Sequence, residues 1–233
     1  MMNPDCGTAI LYFSLSPQVQ AQSKQWKGVS HALARKTQSK LYHHTEGIIN
    51  KSGLPCIHSD EKNQRGHDFG TRLSNAIEDV FSIGYNSVIV LGNDCPELNQ
   101  DIIQSADQYL KRSQIVIGPS QFGGVYLMGI DQSNFEKIAF QKLPWQSKEL
   151  QAALLGYFNK YSAETALLPF LANLNHHREL SIFTGLKRIH RSLVLVFQAL
   201  SKCLQRHSFQ LKSLQSSFFL SLSISHRGPP AVC

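Results

Sequence analysis

Acidic residues are absent from the C-terminal stretch of this 233-residue chain: Ser181 to Cys233 contains no Asp and no Glu. Seven basic residues lie there, Lys187, Arg188, Arg191, Lys202, Arg206, Lys212 and Arg227, and the other 16 of the 23 are balanced by 16 acids upstream. The net charge of +7 thus belongs to one end and is not a field spread over the protein, which argues against nucleic acid as a partner. Paired cysteines are lacking too. Cys6, Cys56, Cys95, Cys203 and Cys233 are odd in number, widely spaced and contain no C-x-x-C, which speaks for reduced thiols against a disulfide frame or a zinc site. His43-His44 and His176-His177 have no third ligand at metal spacing. No apolar run approaches the ~18 residues of a membrane span. Met1-Met-Asn-Pro-Asp5 shows neither the basic region nor the apolar core of a signal peptide. These absences predict a cytoplasmic protein.

What is present is a pair of β-branched apolar runs, each stopped abruptly by Gly, Pro and polar residues. Val88-Ile-Val-Leu-Gly-Asn-Asp-Cys-Pro-Glu-Leu98 delivers one carboxylate, Asp94. Val116-Ile-Gly-Pro-Ser-Gln-Phe-Gly-Gly-Val-Tyr-Leu-Met-Gly129 delivers Gly123 and Gly124. A helix-length stretch, Gln100 to Arg112, separates them. Strand, helix, strand predicts a βαβ unit whose crossover leaves both strand ends on one edge of a parallel sheet. Ligands of open α/β sheets bind at that edge, where Asp94 would meet them and the glycines would let a backbone approach.

Two further stretches complete a pattern with Gly92-Asn-Asp-Cys-Pro-Glu-Leu98 and Gly118-Pro-Ser-Gln-Phe-Gly-Gly-Val-Tyr-Leu-Met-Gly129: Pro144-Trp-Gln-Ser147 after them and Gln64-Arg-Gly-His-Asp-Phe-Gly-Thr-Arg-Leu73 before them. In order and type they resemble the GT-A-like glycosyltransferase family of bacteria, formerly a domain of unknown function and related in fold to nucleotidyltransferases of cofactor synthesis. The likeness covers roughly residues 60 to 155. It implies an α/β fold of three αβα layers, with a GT-A/Rossmann-like, mostly parallel mixed sheet. It also implies transfer of a sugar from a nucleotide-activated donor to an unknown acceptor, with Mg²⁺ or Mn²⁺ held at Asp94. Two departures stand out. Phe122 occupies the place of the family's Asp before Gly-Gly, so any role of that acid is vacant. The family's basic Gly-rich loop after strand one is missing: Ala9 to Ser14 runs into Pro17-Gln-Val-Gln-Ala-Gln-Ser-Lys-Gln-Trp26. Nucleotidyl transfer, and a catalytically weakened binding or scaffold role favoured by Phe122, are the rival readings.

Pattern and punctuation predict strands at Thr8 to Leu15, Leu54 to His58, Val88, Ile115 and Val125 to Ile130, the last pairing antiparallel through the Gly123-Gly124 turn. Helices are predicted within Val19 to His43, over Gly66 to Phe81, from Gln100 behind an Asn99 cap, and over Trp145 to Tyr157, with another within Glu164 to Leu174. The charge asymmetry predicts two regions, a transferase domain over 1–180 and a basic extension over 181–233. That extension reads as a helix over Ile182 to Gln210, then a Ser-rich, partly disordered end, with docking on the domain or on an anionic membrane surface as its options.

Each candidate residue carries a plain alternative. Asp94 is the expected metal ligand, or else caps the turn at Pro96. Asn93 accompanies it in the donor-binding edge. Asp68 would hold a sugar hydroxyl or cap a helix, and Arg72 would neutralise phosphate or pair with Asp68. Gly123 and Gly124 would turn the chain and floor the crevice. Trp145 would stack on a donor ring or belong to the core, as would Tyr126. Cys95 is expected to pack as a small apolar group. No general base is identifiable.

Overall fold

The computed structural model describes residues 7–206, apart from 25, 27, 113, 162–163, 176–178 and 184–188, and the statements below are of these residues. Six strands form one sheet: β1 (Thr8–Phe13), β2 (Cys56–Ser59), β3 (Ser87–Leu91), β4 (Ile115–Pro119), β5 (Val125–Asp131) and β6 (Thr165–Leu167). Their order is β2-β1-β3-β5-β4-β6. Five run parallel and β5 alone runs against its neighbours β3 and β4. The antiparallel β4–β5 pairing matches the expectation from the glycine turn. The βαβ unit is built too, but with β5 inserted between β3 and β4, so those strands share direction without touching.

Strand residues alternate strictly between two apolar layers, as period-two side chains must. Ala9, Leu11, Val88, Ile115 and Ile117 face α3 (Phe69–Ser82), α5 (Lys137–Gln141) and α6 (Leu150–Phe158). Ile10, Tyr12, Ile89, Leu91 and Val116 face α2 (His31–Ser52) and α4 (Gln100–Leu110). The architecture is αβα. Asn99 caps α4 as expected, its Oδ1 accepting from Ile102 N at 3.1 Å.

Three elements differ from expectation. α2 runs on to Ser52, through Gly47, and stops only at Gly53 in the left-handed region, φ 76°. The stretch Trp145 to Glu149 is not helical; α6 starts at Leu150, and α5 precedes it. Glu164 to Leu174 holds the strand β6, because its short apolar run finds an open edge at β4, pairing Ile115 with Thr165 and Ile117 with Leu167. Periodicity cannot separate helix from strand in so short a run.

The expected boundary at 180 cuts through α7 (Leu180–Phe183). Beyond it, residues 191–206 are helical. Phe183, Leu193, Val196, Phe197 and Leu200 pack with Trp26, Leu41 and Leu174 in a third apolar cluster on the outer side of α2. The boundary set by charge is therefore not a gap in packing, since the apolar stripe between the basic residues needs a surface to cover it. Residues 207–233 lie outside the described residues. No described helix is long and apolar enough to cross a membrane.

Candidate functional site

β1 and β3 are neighbours, but the chain leaves β1 for β2 on one side and β3 lies on the other. The strand order reverses between them, and their carboxyl ends open a crevice there. A cleft of about 900 Å³ occupies it, lined by Ser14, Lys24, Arg72, Asn93, Asp94, Gly124, Trp145 and Glu179 among others.

The motif after β3 supplies its floor. Asn93 is 2% exposed, and its Nδ2 has no hydrogen-bond partner. Asp94 follows, its backbone fixed by Leu174 N, which donates to the Asp94 carbonyl at 2.7 Å. The Asp94 carboxylate is in close contact with Lys24, whose Nζ donates to Oδ1. The same Nζ donates to the Leu174 carbonyl at 2.8 Å. Lys24 sits in the last turn of α1 (Pro17–Lys24), where a cation suits the helix dipole, and its side chain is 11% exposed. Three stretches far apart in sequence thus meet at one ion pair. Sequence reasoning missed Lys24. The available signal was a lone lysine in a stretch without glycine, which gives no reason to single it out.

Arg72 lines the cleft with its Nε buried and without a partner, and it makes no ion pair among the described residues. Asp68 does not line the cleft. It caps α3, accepting from Thr71 N at 2.7 Å, and that bond holds its carboxyl below the usual range. Its other oxygen lies 2.9 Å from His67 Nε2. The structure therefore separates Asp68 from Asp94 and leaves it the capping role.

The far wall is Gly124 and the 145–148 stretch. Gly123 has φ 82°, and a Cβ there would lie 1.8 Å from the Lys148 carbonyl oxygen. Only glycine fits that approach. Gln146, beside it, takes the same left-handed region with φ 63°, a strained choice for a side-chain-bearing residue lining a cleft. Trp145 is only partly available: its Nε1 donates to the Phe140 carbonyl at 2.9 Å, and its ring packs on Phe140 and Phe69. Gly70 is required beneath it, since a Cβ there would come within 2.6 Å of the indole. The Phe122 side chain lies outside the described residues. Cys95 is buried, and burial pushes its thiol up to about 12, far from a nucleophile.

A divalent ion at Asp94 can be tested against this donor set. Mg²⁺ needs one or two carboxylates with phosphate and water. Asp94 is engaged by an ammonium, and Glu179, the other acid lining the cleft, accepts from Asn175 N at 2.5 Å. No cluster of three His, Cys, Asp or Glu exists among the described residues. The residues as arranged do not fit a resident divalent ion.

The αβα fold recurs in solved structures. A candidate nucleotide-diphospho-sugar transferase from Desulfovibrio desulfuricans G20 superposes with a TM-score of 0.72 at 18% identity, over 88% of this chain and 98% of that one. A glycosyltransferase involved in glycosylation of the major capsid of PBCV-1 gives 0.42 at 13% identity, over 69% and 82%. A synthetase of CMP-2-keto-3-deoxy-manno-octonic acid, complexed with CTP, gives 0.37 at 12%, over 76% and 96%. No curated protein matches the sequence. Residues 56–147 match the model of the family described as "Uncharacterized protein conserved in bacteria (DUF2064)". That match takes in the stretches whose motifs resemble the family.

Proposed function

We propose that the chain binds a nucleotide-activated sugar in the cleft between the ends of β1 and β3 and transfers the sugar to an acceptor. One observation carries the reading. Two cations and an amide donor, Lys24, Arg72 and Asn93, line one cleft at the sheet's switch point, and neither Arg72 Nε nor Asn93 Nδ2 has a protein partner. Buried donors left without partners cost stability unless a ligand satisfies them. A diphosphate offers such acceptors, and its charge matches the guanidinium.

In the reaction so proposed, the bond from the anomeric carbon to the diphosphate breaks and one from the acceptor oxygen forms. The leaving diphosphate keeps the bonding electrons, and the acceptor's proton passes to a base that the described residues do not identify. Lys24 and Arg72 would offset the growing charge on the leaving group, in a site whose donors are already oriented. The 145–148 wall, with Trp145, would border the sugar or the base.

The test is a thermal-shift screen of nucleotide sugars, nucleoside triphosphates and nucleoside diphosphates on the full chain, followed by calorimetry. Native-state binding raises the melting temperature by mass action. Preference for nucleotide sugars, with release of nucleoside diphosphate in the presence of acceptor, supports the reading. Triphosphate binding with release of pyrophosphate would make the chain a nucleotidyltransferase, and binding without turnover would make it a binding member of its family.

A further inference from the structure

Resting on that reading of the cleft, we infer that Lys24 takes the place of the divalent cation: the diphosphate is held by the Lys24 ammonium, oriented by Asp94, and needs no metal ion.

The geometry of Lys24 carries this. An ammonium has three N–H donors. One goes to the Asp94 carboxylate and one, at 2.8 Å, to the Leu174 carbonyl. The third has no partner among the described residues, and the residue lines the cleft. Lys24 is thus clamped from two sides with one donor left for a ligand. Its side chain is 11% exposed, so its charge is less screened than that of a surface lysine. A divalent ion binding Asp94 Oδ1 would have to displace that ammonium, and one beside it would meet its repulsion.

The arrangement also answers what else Asp94 does. It is a positioning residue for Lys24, held in turn by Leu174 N on its carbonyl at 2.7 Å. Arg72, unpaired, adds a second fixed cation to the cleft. Of the acids that line it, Asp94 is paired and Glu179 accepts from a backbone amide. With Lys148, the cations lining the cleft outnumber its two carboxylates by one, which suits a diphosphate.

The experiment titrates UDP, GDP, CDP and ADP into the full chain by calorimetry, first in EDTA and then in Mn²⁺. The expected result is binding of at least one of them in EDTA, changed by less than about twofold on adding Mn²⁺. Lys24→Met should weaken metal-free binding roughly tenfold or more, about 1.4 kcal/mol per decade. In that variant Mn²⁺ should restore part of the affinity, because the Asp94 carboxylate is released. Asp94→Asn keeps an oxygen acceptor for the ammonium and leaves Lys24 charged, so Lys24 is still oriented, less tightly, and metal-free binding should weaken by no more than a few-fold. This second variant keeps the test open if Lys24→Met fails to fold. Wild-type binding seen only with Mn²⁺, or loss of binding in Asp94→Asn, overturns the Lys24 assignment and leaves the cleft's function standing. Absence of nucleotide binding in both conditions overturns the reading of the cleft and the assignment with it.

Discussion

The segment 56–147 and the stretches that flank it contribute unequally to what sequence reading can see and to what the cleft needs. The family segment brings Arg72, Asn93, Asp94, Gly124 and Trp145 to the sheet edge through strand ends and turns. The flanks bring Lys24 and the Leu174 backbone, which take up Asp94. They also bring the third apolar cluster, in which Trp26 and Leu174, neighbours in sequence of the ion-pair residue Lys24 and of Asn175, pack against the basic helix. The motif side is specified locally, and the flank side is specified by what packs behind it. Damage far from any motif should therefore reach the cleft.

The largest break of that comparison is removal of everything after Leu180. It strips Phe183, Leu193, Phe197 and Leu200 from their cluster. The truncated chain is expected to lose cooperative unfolding, checked by circular dichroism. The gentler Phe197→Ala, at a fully buried site, should cost about 3–5 kcal/mol, or on the order of ten degrees of melting temperature. An unchanged melting temperature in Phe197→Ala would show that the basic helix merely leans on the fold.

Two glycines sharpen the comparison from the other side. Gly123→Ala forces a left-handed φ on a residue with a Cβ and drives that carbon into the Lys148 carbonyl. The backbone strain alone is worth about 1–3 kcal/mol, and nucleotide affinity should fall with it. Gly47→Ala meets open space within α2 and should instead stabilise by about 1 kcal/mol. Urea denaturation of both variants measures the contrast.

Within the family segment, Arg72 and Asp68 stand one helical turn apart but do different things. Arg72→Ala should weaken nucleotide binding roughly tenfold, the scale of one charge-assisted hydrogen bond. Asp68→Asn should leave affinity unchanged and lower only the melting temperature. A matching loss of affinity in Asp68→Asn would return that carboxylate to the site.

The smallest effect concerns pH. His44, on α2, is held below its ordinary value of 6.5 by burial, with His190 and Lys51 adding repulsion and the Pro96 and Leu98 carbonyls opposing. The unfolded chain therefore binds the proton more readily. The stability this provides is complete above that ordinary value and is lost as pH falls through it toward the folded value. The melting temperature should drop between about pH 7 and pH 5, and His44→Gln should flatten the drop. An identical drop in the variant would assign the acid limb to other groups.

Much of this molecule was legible one segment at a time. Alternation and β-branching marked β1, β3, β4 and β5, and Asn99 and Asp68 announced the helices they cap, because these signals act within a few residues. Asp94 was placed at a strand end, and Gly123 at a turn, for the same local reason. The sequence by itself determined the α/β class, the sheet edge at which Asp94 stands and the separation of charge along the chain. Only the tertiary structure decided that β5 lies between β3 and β4, that 165–167 joins the edge as a strand, and that the basic helix covers α2. It alone decided that Lys24 meets Asp94. An ion pair between residues 70 positions apart leaves no mark in spacing or periodicity. Trp26, two residues after Lys24, and Leu174 share an apolar cluster, and the Leu174 amide bonds Asp94 beyond the β3 end, so the pair forms only once those surfaces have met.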